Sequence, residues 1–214
     1  MAGSPEGVAR RKGDLKVVLS YQEFLMRAAD RGEVVNTMFE ERLFGLVAAL
    51  RRITDVLAAD QIPYEVIGGL AVLIHVEEAN PEYSSLTRDV DLMVRRQDLE
   101  RIKESAAKGG FRFRHAAGVD TLVYIGSDHA KDAIHLIISD EKVLPIQPVV
   151  KQILGADVMV IPVADLLRMK LTSFRLKDQV HVKALDAVGL ITSQVEAQLM
   201  PELIARLDQT RQTE

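Results

Sequence analysis

Two aspartates, one residue apart, interrupt an apolar run at residues 87–94, T-R-D-V-D-L-M-V. In a strand, alternate side chains share a face. Val90, Leu92 and Val94 are then expected to enter a core, with Asp89, Asp91 and Met93 on the opposite side. Two like charges held side by side at the margin of a core repel, and more strongly as they lose water. A chain that folds in spite of this has two solutions. The strand lies on a solvated edge, where acids discourage unwanted pairing. Or a cation sits between the carboxylates. Oxygen donors of this kind suit Mg2+ or Mn2+, hard ions that also bridge substrate phosphates.

The residues upstream narrow the choice. Residues 62–67, I-P-Y-E-V-I, form a short β-branched run that closes on Gly68-Gly69 and continues as an apolar helix over residues 70–76. Glycine reaches backbone conformations that other residues resist and lets a ligand approach closely. A helix N-terminus offers unpaired N–H groups and the positive end of a dipole, which favour phosphate. A tight turn without any ligand would use the same two residues. His75, six residues beyond the pair on an apolar helix, reads as a packed side chain.

The remaining chain alternates in the same manner. Residues 1–13 are small, polar and basic and read as a disordered tail. Residues 14–60 carry N-terminal helices, one at 20–30 with Ser20 and Glu23 as a capping box and a longer one at 37–59. In the latter, Leu43, Leu46, Val47, Leu50, Ile53, Val56 and Leu57 recur at helical spacing. Residues 61–163 supply an α/β core, with strands expected near 88–94, 111–115, 121–125 and 133–139. Residues 158–163 read as a further strand or an extended segment. A helix over 98–108 stops at Gly109-Gly110. Residues 164–214 form a C-terminal helical region, helical over 164–189 and 194–210. The expected class is α+β, a central mixed sheet with packed helices.

Composition excludes several functions. The 214-residue chain is 48% hydrophobic, enough for a sizeable core. It has no cysteine, which removes disulfides, thiolate metal sites and cysteine nucleophiles and suits a cytoplasmic setting. The formal net charge is −4, so duplex DNA is not favoured as a partner. Tryptophan is absent and aromatics make up 5%, so no base-stacking platform stands out. The N-terminus lacks the apolar stretch of a secretory signal, and no run is long enough to span a bilayer.

Taken together, V-I-G-G-L-A-V-L-I-H (66–75), a loop, and L-T-R-D-V-D-L-M-V (86–94) resemble the nucleotidyltransferase fold of the DNA polymerase beta superfamily. The likeness is greatest to the small bacterial branch that includes the abortive-infection type toxins and the minimal nucleotidyltransferases. It covers residues 64–94 well and 133–185 more loosely. It implies that Gly68 and Gly69 hold a triphosphate and that Asp89 and Asp91 bind Mg2+ or Mn2+. Thr87 and Arg88 match the polar and basic residues that often precede the carboxylates. It also implies a third carboxylate on a neighbouring strand. In the best candidate, A-I-H-L-I-I-S (133–139), that position is His135. Imidazole suits Mg2+ poorly and Mn2+ better. His135 either accepts the proton of an attacking hydroxyl or packs at the rim with no chemistry. Asp132 and Asp140 lie three and five residues from His135, on the other face unless a bulge intervenes. Asp120 and Asp128 are further candidates in loops.

A second group, Lys170, Arg175, Lys177 and Asp178, resembles the basic C-terminal helix of the same branch. On one continuous helix Lys170, Asp178 and His181 would fall within about 80° of one another. Lys170 and Arg175 would then reach a nucleotide phosphate, with Asp178 orienting them. A solvated helix face with salt bridges would show the same residues.

The activity implied is transfer of a nucleoside monophosphate from an NTP to an acceptor hydroxyl, which the sequence does not identify. The alternatives are a catalytically impaired relative, serving as a nucleotide-binding or partner-binding module, and a toxin-like component paired with an antitoxin-like protein and acting on tRNA or protein.

Overall fold

Seven strands among the described residues form one mixed sheet. The computed structural model describes residues 43–81, 83, 87, 89–126, 133–139, 146–153 and 155–213, all within the compact unit Glu41–Glu214. The expected tail at 1–13, the helix at 20–30 and the first residues of the helix from Thr37 lie outside them.

Helix α1 is helical over residues 43–59. Its periodic stripe is buried as expected, with Leu50, Ile53 and Leu57 at most 1% exposed. Each such side chain contributes about 1.5–3 kcal/mol of hydrophobic stabilisation. The strands are β1 (Tyr64–Ile67), β2 (Val90–Val94), β3 (Phe111–Ala116), β4 (Val119–Tyr124), β5 (Ile134–Ile138), β6 (Val149–Ile153) and β7 (Ala156–Val160). The further helices are α2 (Gly68–Ala79), α3 (Leu99–Lys108), α4 (Val163–Ser173), α5 (Leu176–Ala187), α6 (Ser193–Glu196) and α7 (Pro201–Gln212).

The spatial order is β3-β4-β5-β2-β1-β7-β6. β2 pairs antiparallel with β1 and parallel with β5, and β1 pairs parallel with β7. β2 is therefore central, which removes the edge-strand explanation for its two acids. All four residues of β1 are buried, as befits a strand covered on both faces.

α1 packs against α3: Ser105 Oγ donates to Val56 O at 2.9 Å, and Arg52 lies 3.9 Å above the Tyr124 ring. Gly110, with φ +79°, ends α3 where the glycine pair is expected to stop it.

Three local expectations are corrected. Met93 is fully buried, although it lies on the carboxylate side of β2. Its partner Glu65 is also fully buried, and the Gln147 N–H donates to Glu65 Oε1. The chain thus covers this face one step away from the acids. β6 escapes the sequence reading because V-V-K-Q-I is a half-exposed edge strand with a lysine at its centre. The helical stretch 164–189 is two helices rather than one. Phe174 takes the left-handed conformation, φ 48° and ψ 28°, and its N–H bonds the Lys170 carbonyl to close α4.

Candidate functional site

Gly68 turns the chain from β1 into α2 at φ +74°, a conformation that glycine adopts without cost. A Cβ there would stand 2.2 Å from Asp91 Oδ2, and one on Gly69 would stand 2.7 Å from Thr87 Oγ1. Gly68 is therefore favoured by both the turn and the close approach, and Gly69 by the close approach alone. The first N–H groups of α2 have no partner within the helix, and the N-cap residue, Ile67, has no side-chain group to cap them. They open onto a cleft of about 840 Å³.

The cleft is walled on one side by Ile67, Asp89, Asp91, His135 and Ile137 at the sheet, and on the other by α4, α5 and Leu203 of α7. Asp91 faces His135 directly across the β2–β5 pair. His135 Nδ1 lies 2.9 Å from Asp91 Oδ1. A carboxylate only accepts, so Nδ1 carries the hydrogen and donates it. That bond raises the pKa of His135, against the opposing effect of burial. Asp89 is exposed at the mouth of β2.

Lys170, Arg175 and Asp178 meet across the α4–α5 turn. Lys170 Nζ lies 3.1 Å from Asp178 Oδ1, and Arg175 Nε lies 2.8 Å from Oδ2. Ser173, which no spacing singled out, donates its hydroxyl to Oδ2 at 2.5 Å. Burial works against the charge on Asp178, but the bonds from Arg175, Ser173 and Lys170 outweigh it and hold its pKa well below the carboxylate range. Burial lowers the pKa of Lys170, with Asp178 opposing. The expectation of a single helical face is thus corrected: a sharp turn, not a helical repeat, joins these residues. His181 reaches the glycines from α5, its Cε1 3.4 Å from the position of a Gly69 Cβ.

The other candidates fall elsewhere or beyond view. Asp120 lies in strand β4 rather than a loop, on the face opposite His135, and bonds His115 Nδ1 at 2.5 Å. His75 is buried and donates from Nε2 to Ile161 O at 2.8 Å, a packing role. Arg88, Asp128, Asp132 and Asp140 lie outside the described residues. Among the described residues, no group of three or more His, Cys, Asp or Glu side chains is arranged to hold a metal ion.

No protein-family model and no curated protein sequence matches the chain. Among solved structures, the antibiotic-resistance factor ANT(2'')-Ia is similar with TM-score 0.50 and 13% identity, over 71% of this chain and 88% of its own. The Megavirus polyadenylate synthase is similar with TM-score 0.51 and 11% identity, over 97% of this chain and 41% of its own. A nucleotidyltransferase-like protein from Paracoccidioides brasiliensis aligns with TM-score 0.48 and 14% identity, over 76% and 92%. The chain has the nucleotidyltransferase fold: an α+β architecture with a mixed sheet, packed helices and a C-terminal helical region. At these identities the likeness speaks to the fold alone. No helix among the described residues is long and apolar enough to cross a membrane.

Proposed function

We propose that the protein is a metal-dependent nucleotidyltransferase that moves an NMP group from an NTP to an acceptor hydroxyl. The observation that carries this reading is the meeting of the Gly68-Gly69 turn with Asp91 in one cleft, so close that a single Cβ would collide with the carboxylate. A phosphate chain on the free N–H groups of α2 would lie directly beside two acids. Such an arrangement would be repulsive without a cation.

The donor set fits a hard divalent ion. Asp89 and Asp91 offer carboxylate oxygens, and His135 steadies Asp91, as the partners of metal-bound carboxylates commonly do. Mg2+ or Mn2+ held by Asp89 and Asp91 would neutralise charge on the transferring phosphoryl group. The residues of the chain supply the rest. Gly68 and Gly69 receive the triphosphate, and Thr87 borders the turn. Lys170 and Arg175, aligned by Asp178, supply positive charge from the opposite wall. His135, donating from Nδ1, has Nε2 available to accept the acceptor's hydroxyl proton. The acceptor oxygen then bonds to the α-phosphorus as the bond to the bridging oxygen breaks and pyrophosphate leaves.

The test is incubation of the pure protein with labelled NTPs, Mg2+ or Mn2+ and a panel of acceptors. Labelling that needs metal and is lost in Asp89→Asn is expected; absence of turnover with every metal and acceptor would overturn the reading. A second reading is favoured by one observation, that His135 stands beside Asp91 where a further acid would complete the ligand set. The protein would then bind nucleotide without turning it over. Calorimetry with ATP and Mn2+ separates the two, since binding without turnover supports the second. A gain of metal-dependent activity in His135→Asp would support it further.

A further inference from the structure

The two walls of the cleft change character in the same direction. On the sheet, the row through Asp91 and His135 is polar, and the next row runs Glu65, Met93, Ile137. Ile137 follows His135 by two residues on β5, so it shares that face ~7 Å further along the strand. On the helical wall, Lys170 near the end of α4 feels the charge of Asp91, and Glu65 feels that of Asp165 near the start of α4. α4 therefore runs back from the acids over the second row. Along it the cleft-lining side chains pass from Ser173 and Lys170 to Met169 and Leu166, and α7 adds Leu203 behind its N-cap Met200. Arg168, which also lines the cleft here, is engaged by Asp165 and by Gln198 at 3.4 Å. Beside its charged half the cleft thus keeps an apolar, charge-compensated one. Part of that surface is open to water: Met200 is 63% exposed, and Ile137 and Met169 are partly so.

We propose that this apolar half seats the acceptor, and that the acceptor is a small alcohol whose hydroxyl is carried on an uncharged, apolar body. This rests on the nucleotidyl-transfer reading of the cleft. The strand order β5-β2-β1 places Ile137 and the Gly68-Gly69 turn on opposite sides of Asp91. In-line transfer puts the attacking oxygen opposite the leaving pyrophosphate. With the triphosphate on the glycine turn, the hydroxyl arrives from the β5 side, and the body behind it meets Ile137, Met169 and Met200. The acceptor oxygen bonds the α-phosphorus, the bond to the bridging oxygen breaks, pyrophosphate leaves, and the hydroxyl proton passes to His135 Nε2. The cleft of about 840 Å³ falls within the ~300–1,000 Å³ of small-molecule sites, which are mostly apolar with a few placed polar groups. The flexible thioether of methionine lets such a surface fit bodies of differing shape.

The experiment saturates the full chain with α,β-methylene ATP and Mn2+ and titrates it with the linear primary alcohols from butanol to octanol, read by ligand-observed NMR. Each added CH2 should tighten binding about fourfold until the apolar half is filled. Met169→Gln/Met200→Gln keeps side-chain length and helix propensity while removing apolar surface. It should weaken octanol binding tenfold or more and leave the thermal midpoint and the affinity for the ATP analogue unchanged. With α-labelled ATP as donor, KM for octanol should rise in the variant by a similar factor while kcat changes little. Affinity independent of chain length overturns the proposal. So does tighter binding of glycerol or of polycationic kanamycin than of octanol. Displacement of the ATP analogue by octanol also overturns it, because the apolar half would then be the seat of the nucleobase. Failure of the wild type to bind the analogue would remove the transfer reading separately, since the alcohol series can be read without nucleotide.

Discussion

Gly68 shows how much a single position can carry. It combines φ +74° with a Cβ position 2.2 Å from Asp91 Oδ2. Gly68→Ala should therefore cost about 1–2 kcal/mol from the left-handed conformation alone. It should also displace Asp91 and weaken NTP binding, as urea denaturation and calorimetry would report. Glu65 makes a different prediction. Burial pushes its carboxyl from 4.5 up to about 7, against the Gln147 N–H bond, and Oε2 is buried without a partner. Between these values the folded state holds a proton that the unfolded chain has lost. Its contribution to stability is complete below about pH 4.5 and is lost as the pH rises through about 7. The thermal midpoint should fall over that window, and Glu65→Gln should flatten the fall. The glycine pair and the two acids could be read locally, because turn geometry and strand alternation are short-range properties. Glu65 could not: it is buried because β1 lies inside the sheet, and its hydrogen-bond partner Gln147 is 82 residues away.

The α4–α5 turn is the element whose chemistry depends most on its own shape. Phe174 in the left-handed region stops α4 and lets α5 fold back, so that Lys170 and Asp178 meet with 7% and 0% of their side chains exposed. Removing one member of such a pair strands the other in a poor solvent. Asp178→Ala should cost about 3–5 kcal/mol, while Lys170→Met/Asp178→Leu should recover most of that loss. Denaturant unfolding of both variants would check this, and the double variant should still bind nucleotide more weakly than the wild type. The partners were legible in the sequence as a basic cluster with one acid. The turn was not, because phenylalanine is an unusual residue for a positive φ and nothing in its neighbours announces a break. The opposite miss, β6, has the same root: an exposed edge strand lacks the apolar alternation that marks a buried one.

At the scale of the molecule, α1 and α3 form a layer on the sheet remote from the cleft, so stability and chemistry should separate. Ile53 is fully buried and does not line the cleft. Ile53→Ala should lower stability by about 2–5 kcal/mol yet leave the affinity for NTP and Mn2+ unchanged below the melting range. Equal loss of both would show that the layers are coupled. The sequence by itself determined what local geometry dictates: the glycine turn at 68–69, the acids on one side of β2, the buried stripe of α1, and the class of fold that these imply. Only the tertiary structure decided that β2 is central, that Met93 is covered, that His135 bonds Asp91 across 44 residues, and that Ile137 lines the same cleft. The reason is physical. Dihedral and periodic preferences act within a few residues, whereas strand order and register are chosen by how whole faces pack. A site assembled from seven elements exists only once that packing is complete.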